Sequence, residues 1–172
     1  MSRGTQQSIL SYVVDTTTTR VDTLEALLKK APAQLLAGLT SLLGAHRARE
    51  RRRPMLADLA REHPPSHQYI ATVLHKGVVC AVARANVERH RAEVSLVHVA
   101  APYRGRGLCG RVMRALLVGT PATHFHLEVD PKNSAARACY TGAGFAMVAK
   151  GRFIEYSRTM TTAERLNLST TR

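Results

Sequence analysis

Gly105 and Gly107 stand one residue apart in the run Tyr103-Arg104-Gly105-Arg106-Gly107-Leu108-Cys109, behind the apolar run Val94 to Ala100 and ahead of a helical apolar spacing. Glycines tolerate positive φ and let the main chain approach a ligand closely. The helix opening there adds unpaired N–H groups and the positive end of its dipole, so the loop can cradle a phosphate. A second group of polar residues follows. From His124 to Asp130, Phe125, Leu127 and Val129 point one way and His124, His126, Glu128 and Asp130 the other. Ionisable groups along one strand face suggest a cleft, with a wet-faced edge strand as the plainer alternative. Asn133 can cap the next helix, and Tyr140 lies two turns later on nearly the same face, with small Ala136 between them.

Other phosphate motifs fit less well. Gly105, Gly107 and Gly110 have dinucleotide-type spacing, but neither their place in the chain nor a downstream ribose-binding acid supports it, and no Gly-Lys-Ser/Thr follows. The chain of 172 residues is long enough for one domain with a sizeable core, and its 45% hydrophobic content is ordinary for a globular protein. Leu35 to Ala45 is too short to span a bilayer and the N-terminus lacks a signal-like apolar region, so a soluble intracellular, cytoplasmic protein is expected, with a nuclear one as an alternative. Cys80, Cys109 and Cys139 lack metal-site spacing, and an odd number argues against a disulfide scaffold, so thiols and no metal are expected. The net charge of +13 favours polyanionic partners and speaks mildly against polyamine or aminoglycoside substrates.

The elements that must position these residues follow from periodicity. Ser8 to Val14 reads as a strand, Thr16 to Thr19 as a polar lead-in, and Leu24, Leu27 and Leu28 as a helical face. Pro32 opens a second helix whose stripe of Leu35, Leu36, Leu39, Leu42 and Leu43 should pack on a sheet. Arg47, Arg49, Arg51, Arg52 and Arg53, before Pro54, are either a solvated basic face or a contact for nucleic acid or an acidic partner. A helix near Leu56 to Glu62 precedes a hairpin of Gln68 to Leu74 and Val78 to Asn86, and a third strand, Ala92 to Ala100, leads into the glycine loop. Leu108, Val112, Met113, Leu116 and Leu117 mark the helix after the loop. Phe145 to Ala149 and Arg152 to Thr159 form a last hairpin, and residues from Thr161 on should fray.

In order and separated by a strand, Arg104-Gly105-Arg106-Gly107-Leu108-Cys109 and Asn133-x-x-Ala136-x-x-x-Tyr140-x-x-x-Gly144-Phe145 resemble the two cofactor motifs of the GNAT superfamily of acyl-CoA-dependent N-acetyltransferases. The resemblance covers roughly Gln68 to Met160. It implies a single α/β (α+β) domain over residues 1–160 with a tail at 161–172, its cofactor motifs lying within 94–145. The fold would be a mixed central sheet of about six or seven strands flanked by helices, splayed beside the Phe125 to Val129 strand to admit acetyl-CoA. Val97, His98 and Val99 would offer main-chain groups to it, and Arg104, Gly105, Arg106, Gly107, Leu108, Cys109 and Asn133 would complete its site. Cys109 departs from the family's Gly or Ala.

The implied activity is direct transfer of an acetyl group to a primary amine in a ternary complex. An ordinary lysine-type amine is almost wholly protonated at pH 7, and deprotonating it costs roughly 4–5 kcal/mol. Glu128 is the chosen base, with His126 or His98 as substitutes, and Tyr140 the acid for the departing thiolate. Leu127-Glu128-Val129, with Asn133 and Tyr140 after it, is similar to the branch that acetylates protein N-termini, where the matching glutamate is the base. That branch's longer connection between the last two strands is missing, because Lys150-Gly151 reads as a tight turn. A protein N-terminus, a lysine and a small amine all remain as acceptors. The competing reading is a non-catalytic basic module that binds nucleic acid or protein through the arginine run. Oligomeric state is not legible.

Overall fold

A computed structural model describes residues 17–48 and 56–170. Seven strands form one sheet in the order β1-β2-β3-β4-β5-β7-β6: β1 Thr17–Thr23, β2 Gln68–His75, β3 Val78–Glu88, β4 Arg91–Val99, β5 His124–Val129, β6 Ala146–Lys150 and β7 Ile154–Thr159. Only β4 and β5 run parallel, joined by the crossover helix α4 (Leu108–Gly119). The other helices are α1 (Leu24–Lys30), α2 (Ala33–Ala48), α3 (Leu56–Glu62), α5 (Ser134–Gly142) and α6 (Thr162–Thr170). The mixed sheet and its flanking helices match the expected fold class. No helix among the described residues is long and apolar enough to cross a membrane.

The apolar stripes decide which helix covers which sheet face. Val112, Met113, Leu116 and Leu117 of α4 recur at helical spacing and bury against Ala71, Val73, Ala83 and Phe125. On the opposite face, Leu24 and Leu27 of α1, Leu35, Leu39, Leu42 and Leu43 of α2, and Leu59 of α3 pack with Ile70, Val79 and Val82. Close approach of α2 to β3 requires Gly38, where a Cβ would sit 2.9 Å from Val79 Cγ2. The β2–β3 hairpin turns at Lys76 and Gly77, both at positive φ (49° and 78°), the twist that a two-residue hairpin favours.

Several expectations are corrected. Of the threonines read as a lead-in, Thr17, Thr18 and Thr19 belong to β1, an edge strand that pairs with β2 and needs no alternation because none of its residues is buried, while Thr16 lies outside the described residues. β5 lies between β4 and β7, so its wet face is not that of an edge strand. The final hairpin turns over Gly151 to Phe153, closed by Gly151 N–H donating to Phe153 O at 2.9 Å, and β7 rather than β6 pairs with β5. The strand expected at Ser8 to Val14 lies outside the described residues. So do Arg49, Arg51, Arg52, Arg53 and Pro54, while Arg47 falls in the last turn of α2.

The stretch expected to fray is helix α6. Thr161 and Glu164 form a reciprocal cap: the carboxylate accepts from Thr161 N–H (2.8 Å) and Oγ1 (2.9 Å), and Thr161 Oγ1 accepts from Glu164 N–H (3.1 Å). These bonds hold the Glu164 carboxyl below its usual range. The Arg165 guanidinium then donates to the carbonyls of Leu117 (2.9 Å), Val118 (3.0 Å), Thr120 and Ala122, tying α6 to the end of α4. Arg165→Ala should cost about 1.5–3 kcal/mol, the range for hydrogen bonds to a charged group. A lowered melting temperature together with new proteolytic cleavage at 161–170 is the expected result; unchanged values would show that α6 is not anchored there.

Candidate active site

The cofactor cleft starts at an irregularity in β4. Ser95 pairs with Arg84 and His98 with Val82, so Leu96 and Val97 together oppose one β3 residue, and Leu96 has φ 53°. This is a β-bulge, which bends the strand and breaks its ladder. On the other side, β4 pairs with β5 only at Arg91, Ala92 and Glu93. Beyond Glu93 the two strands part, leaving Val97, His98 and Val99 on one wall of the gap.

At the end of that wall a 3-10 turn, Ala101–Tyr103, leads to Gly105 (φ 73°) and Gly107 (φ 72°). A Cβ at either glycine would meet nothing within 4 Å, so glycine is required for its backbone conformation and the space before the loop stays open. Gly107 is the N-cap of α4 and offers no side-chain bond, which leaves the N–H groups of the first helical turn pointing into the opening. Arg104 Nε donates to Val99 O at 3.1 Å, fixing the loop against β4, and the Arg106 guanidinium lies 5.7 Å from the centre of the Tyr103 ring. The resulting cavity measures about 360 Å³ and takes in Val97, His98, Val99, Arg104, Gly105, Gly107, Leu108, Cys109 and Asn133. Arg106 is the one expected contact outside its lining, while Tyr103 and Ala135, which the sequence reading did not assign, are part of it. An open, glycine-formed helix N-terminus at the end of a strand gap suits an elongated ligand bearing a pyrophosphate.

The far wall carries the ionisable face. Along β5, Phe125, Leu127 and Val129 are buried while His124, His126 and Glu128 are exposed, as alternation requires. Asn133 Oδ1 accepts from Ala136 N–H at 3.1 Å and starts α5, which brings Tyr140 back over the gap. Tyr140 is only 7% exposed and packs edge-on to Tyr156, and burial pushes its phenol up to about 12. A second cavity of about 650 Å³ contains Glu93, His126, Glu128, Asp130 and Phe153, and shares Val97, Asn133, Ala136 and Tyr140 with the first. Glu128 and Tyr140 therefore line one space, and Tyr140 stands where the two cavities meet.

The expectation of three thiols is corrected: Cys109, in the first turn of α4, and Cys139, on α5 beside Tyr140, form a disulfide with Cα atoms 6.1 Å apart. The sequence hides this pairing because 30 residues and a strand separate the two, and only the packing of α5 alongside α4 brings them together. An acyl-enzyme on either cysteine has no thiol to form from in this state. Cys80 is buried and donates to Val73 O at 3.1 Å, and burial raises its thiol pKa.

The family model described as "Acetyltransferase (GNAT) family" matches residues 34–145. Aminoglycoside acetyltransferase AAC(6')-Ib, in complex with coenzyme A and kanamycin, superposes with a TM-score of 0.61 at 22% identity over 88% of this chain and 99% of that one. Spermidine N-acetyltransferase from Vibrio cholerae, with CoA and spermine, gives 0.63 at 13% identity over 88% and 99%. For yncA from Salmonella typhimurium with acetyl-CoA, the values are 0.65, 14%, 86% and 95%. At these identities the likeness is one of fold. No curated protein matches by sequence.

Proposed function

The chain belongs to the acetyltransferase (GNAT) family, with acetyl-CoA as co-substrate, and on that premise we propose that it acetylates a primary amine by direct attack in a ternary complex, with Glu128 as base and Tyr140 as acid. The observation that carries this reading is the pair of cavities meeting at Tyr140, one ending in the glycine cradle and the other containing Glu128. Bound acetyl-CoA supplies an activated thioester. Glu128 takes a proton from the acceptor ammonium, directly or through water, so that the nitrogen has a lone pair to attack with. Tyr140, with a phenol near 12, enters carrying its proton at any working pH. The same shift makes it a weak acid, so its main contribution is an O–H hydrogen bond to the developing thiolate. The turn between β6 and β7 is short and puts Phe153 in the lining of the acceptor cavity, so a small amine, a lysine and a protein N-terminus are all sterically admissible acceptors.

Calorimetric titration with acetyl-CoA, compared between the wild type and Gly107→Trp, tests the premise about the cradle. Tryptophan cannot hold φ 72° without strain and would fill the approach to the α4 N–H groups. Wild-type binding weakened by about 100-fold or more in the variant, roughly 2.7 kcal/mol, is expected. Equal binding by both proteins would remove the loop from the cofactor site.

A further inference from the structure

We propose that the acceptor is a small linear polycation, an amine whose second and third ammonium groups are held by Glu93 and Asp130 while its chain lies against Phe153; this rests on the acetyltransfer reading above. The charge balance of the acceptor cavity is the reverse of the chain's. The chain carries 25 Lys and Arg against 12 Asp and Glu. Yet this cavity is lined by Glu93, Glu128 and Asp130, with Arg84 as its one arginine.

Arg84 does not offset those carboxylates. Its side chain is 7% exposed and its guanidinium is already engaged by Glu62 (2.8 Å), Gln68 (3.4 Å) and Ser95 (3.1 Å). Some acids elsewhere are paired, Asp22 with Arg20, Glu25 with Lys29 and Asp58 with Arg61, while the exposed Glu88 and Glu155 are not, and Glu155 stands opposite Glu128 on β7. Among the described residues, Glu93, Glu128 and Asp130 enter no such ion pair; Asp130 accepts only the backbone N–H of Lys132, at 2.8 Å. Three exposed like charges around one cavity repel one another, and a ligand with several positive charges relieves that repulsion. A peptide N-terminus brings a single ammonium.

The spacing fits such a chain. Glu93 pairs in register with His126, and Glu128 lies one side-chain repeat further along β5. One strand over and one repeat along puts the Glu93 and Glu128 Cα atoms about 8 Å apart, within reach of two amines joined by a few methylenes. Phe153 is an independent pointer to the same chemistry. It is 43% exposed, lines this cavity from the β6–β7 turn, and presents an apolar ring beside three carboxylates. Methylenes flanked by ammonium groups satisfy both kinds of surface, and an aromatic face also attracts the cations. Arg152 already lies 5.6 Å from the ring centre, outside the cavity lining.

The test titrates the CoA-loaded protein, which cannot turn over, with spermidine, n-butylamine and a short peptide with a free N-terminus. Spermidine should bind at least 30-fold more tightly than either monoamine. That advantage should fall at least tenfold in the Glu93→Gln/Asp130→Asn double variant and in high salt, with Phe153→Ala giving a smaller loss at low salt. Equal affinity for spermidine and butylamine, or an unchanged advantage in the double variant, overturns the proposal. Release of the CoA thiol from acetyl-CoA with butylamine then decides whether the acetyltransfer reading survives alone. Failure of CoA itself to bind removes that reading, and the spermidine comparison on the unloaded protein still reports on the carboxylates.

Discussion

Glu128→Gln should lower kcat at pH 7 by about 10²–10⁴-fold, the range a positioned general base supplies. An ordinary alkyl ammonium holds its proton with a pKa near 10.4, so at pH 7 nearly every bound acceptor must lose a proton before attack. The glutamine keeps the shape of the side chain and its hydrogen-bonding capacity but cannot take that proton. The deficit should therefore be greatest at low pH and shrink as pH approaches the amine's own pKa, where deprotonated acceptor binds directly from solution. Acetyl-CoA affinity should hold, because Glu128 lines only the acceptor cavity. Tyr140→Phe should act differently, slowing turnover by about tenfold or more with no such narrowing at high pH, since its phenol near 12 keeps its proton throughout. A Glu128→Gln enzyme with wild-type rate and pH profile would remove the residue from the mechanism and direct attention to His126, which lines the same space.

The parts of the site that rest on local backbone chemistry were legible in the sequence. Gly105 and Gly107 adopt the positive φ expected of them, Asn133 caps α5, and the alternation from His124 to Val129 places Glu128 on the open face. What was not legible depends on tertiary contact. The β4 bulge occurs at Leu96, a residue type that rarely takes φ 53°, and is imposed by the pairing with β3 that leaves the cofactor gap. Glu93 and Phe153 come from different strands and turns and meet only in the folded sheet. Whole-chain charge is likewise an average over the surface, and it does not report that Glu93, Glu128 and Asp130 line one cavity. The expectation of a frayed end from Thr161 on was wrong for a different reason: Thr161 and Glu164 have the spacing of a capping box in plain view, a local signal for α6 that the reading passed over.

Reduction of the Cys109–Cys139 bridge should destabilise the fold by about 3–4 kcal/mol, the chain-entropy value for closing a loop of this length; the two residues are 30 apart in sequence. For a chain of this size that corresponds to a melting temperature lower by roughly 8–14 °C. Cys109→Ser/Cys139→Ser should melt with the reduced wild type and no longer respond to reductant. Thiol counting gives a second readout, because the denatured, oxidised chain should show only Cys80 and the reduced chain all three cysteines. The position of the bridge extends its effect to the site. It joins the first turn of α4, whose N–H groups form the cradle, to the residue preceding Tyr140 on α5. Loosening it releases both halves of the cofactor cleft from their fixed spacing, so acetyl-CoA should bind more weakly to the reduced protein even at temperatures where it remains folded. Identical melting curves with and without reductant, or three thiols in the oxidised sample, would show that the bridge does not form in solution, and the cradle's geometry would then rest on the packing of α4 and α5 alone.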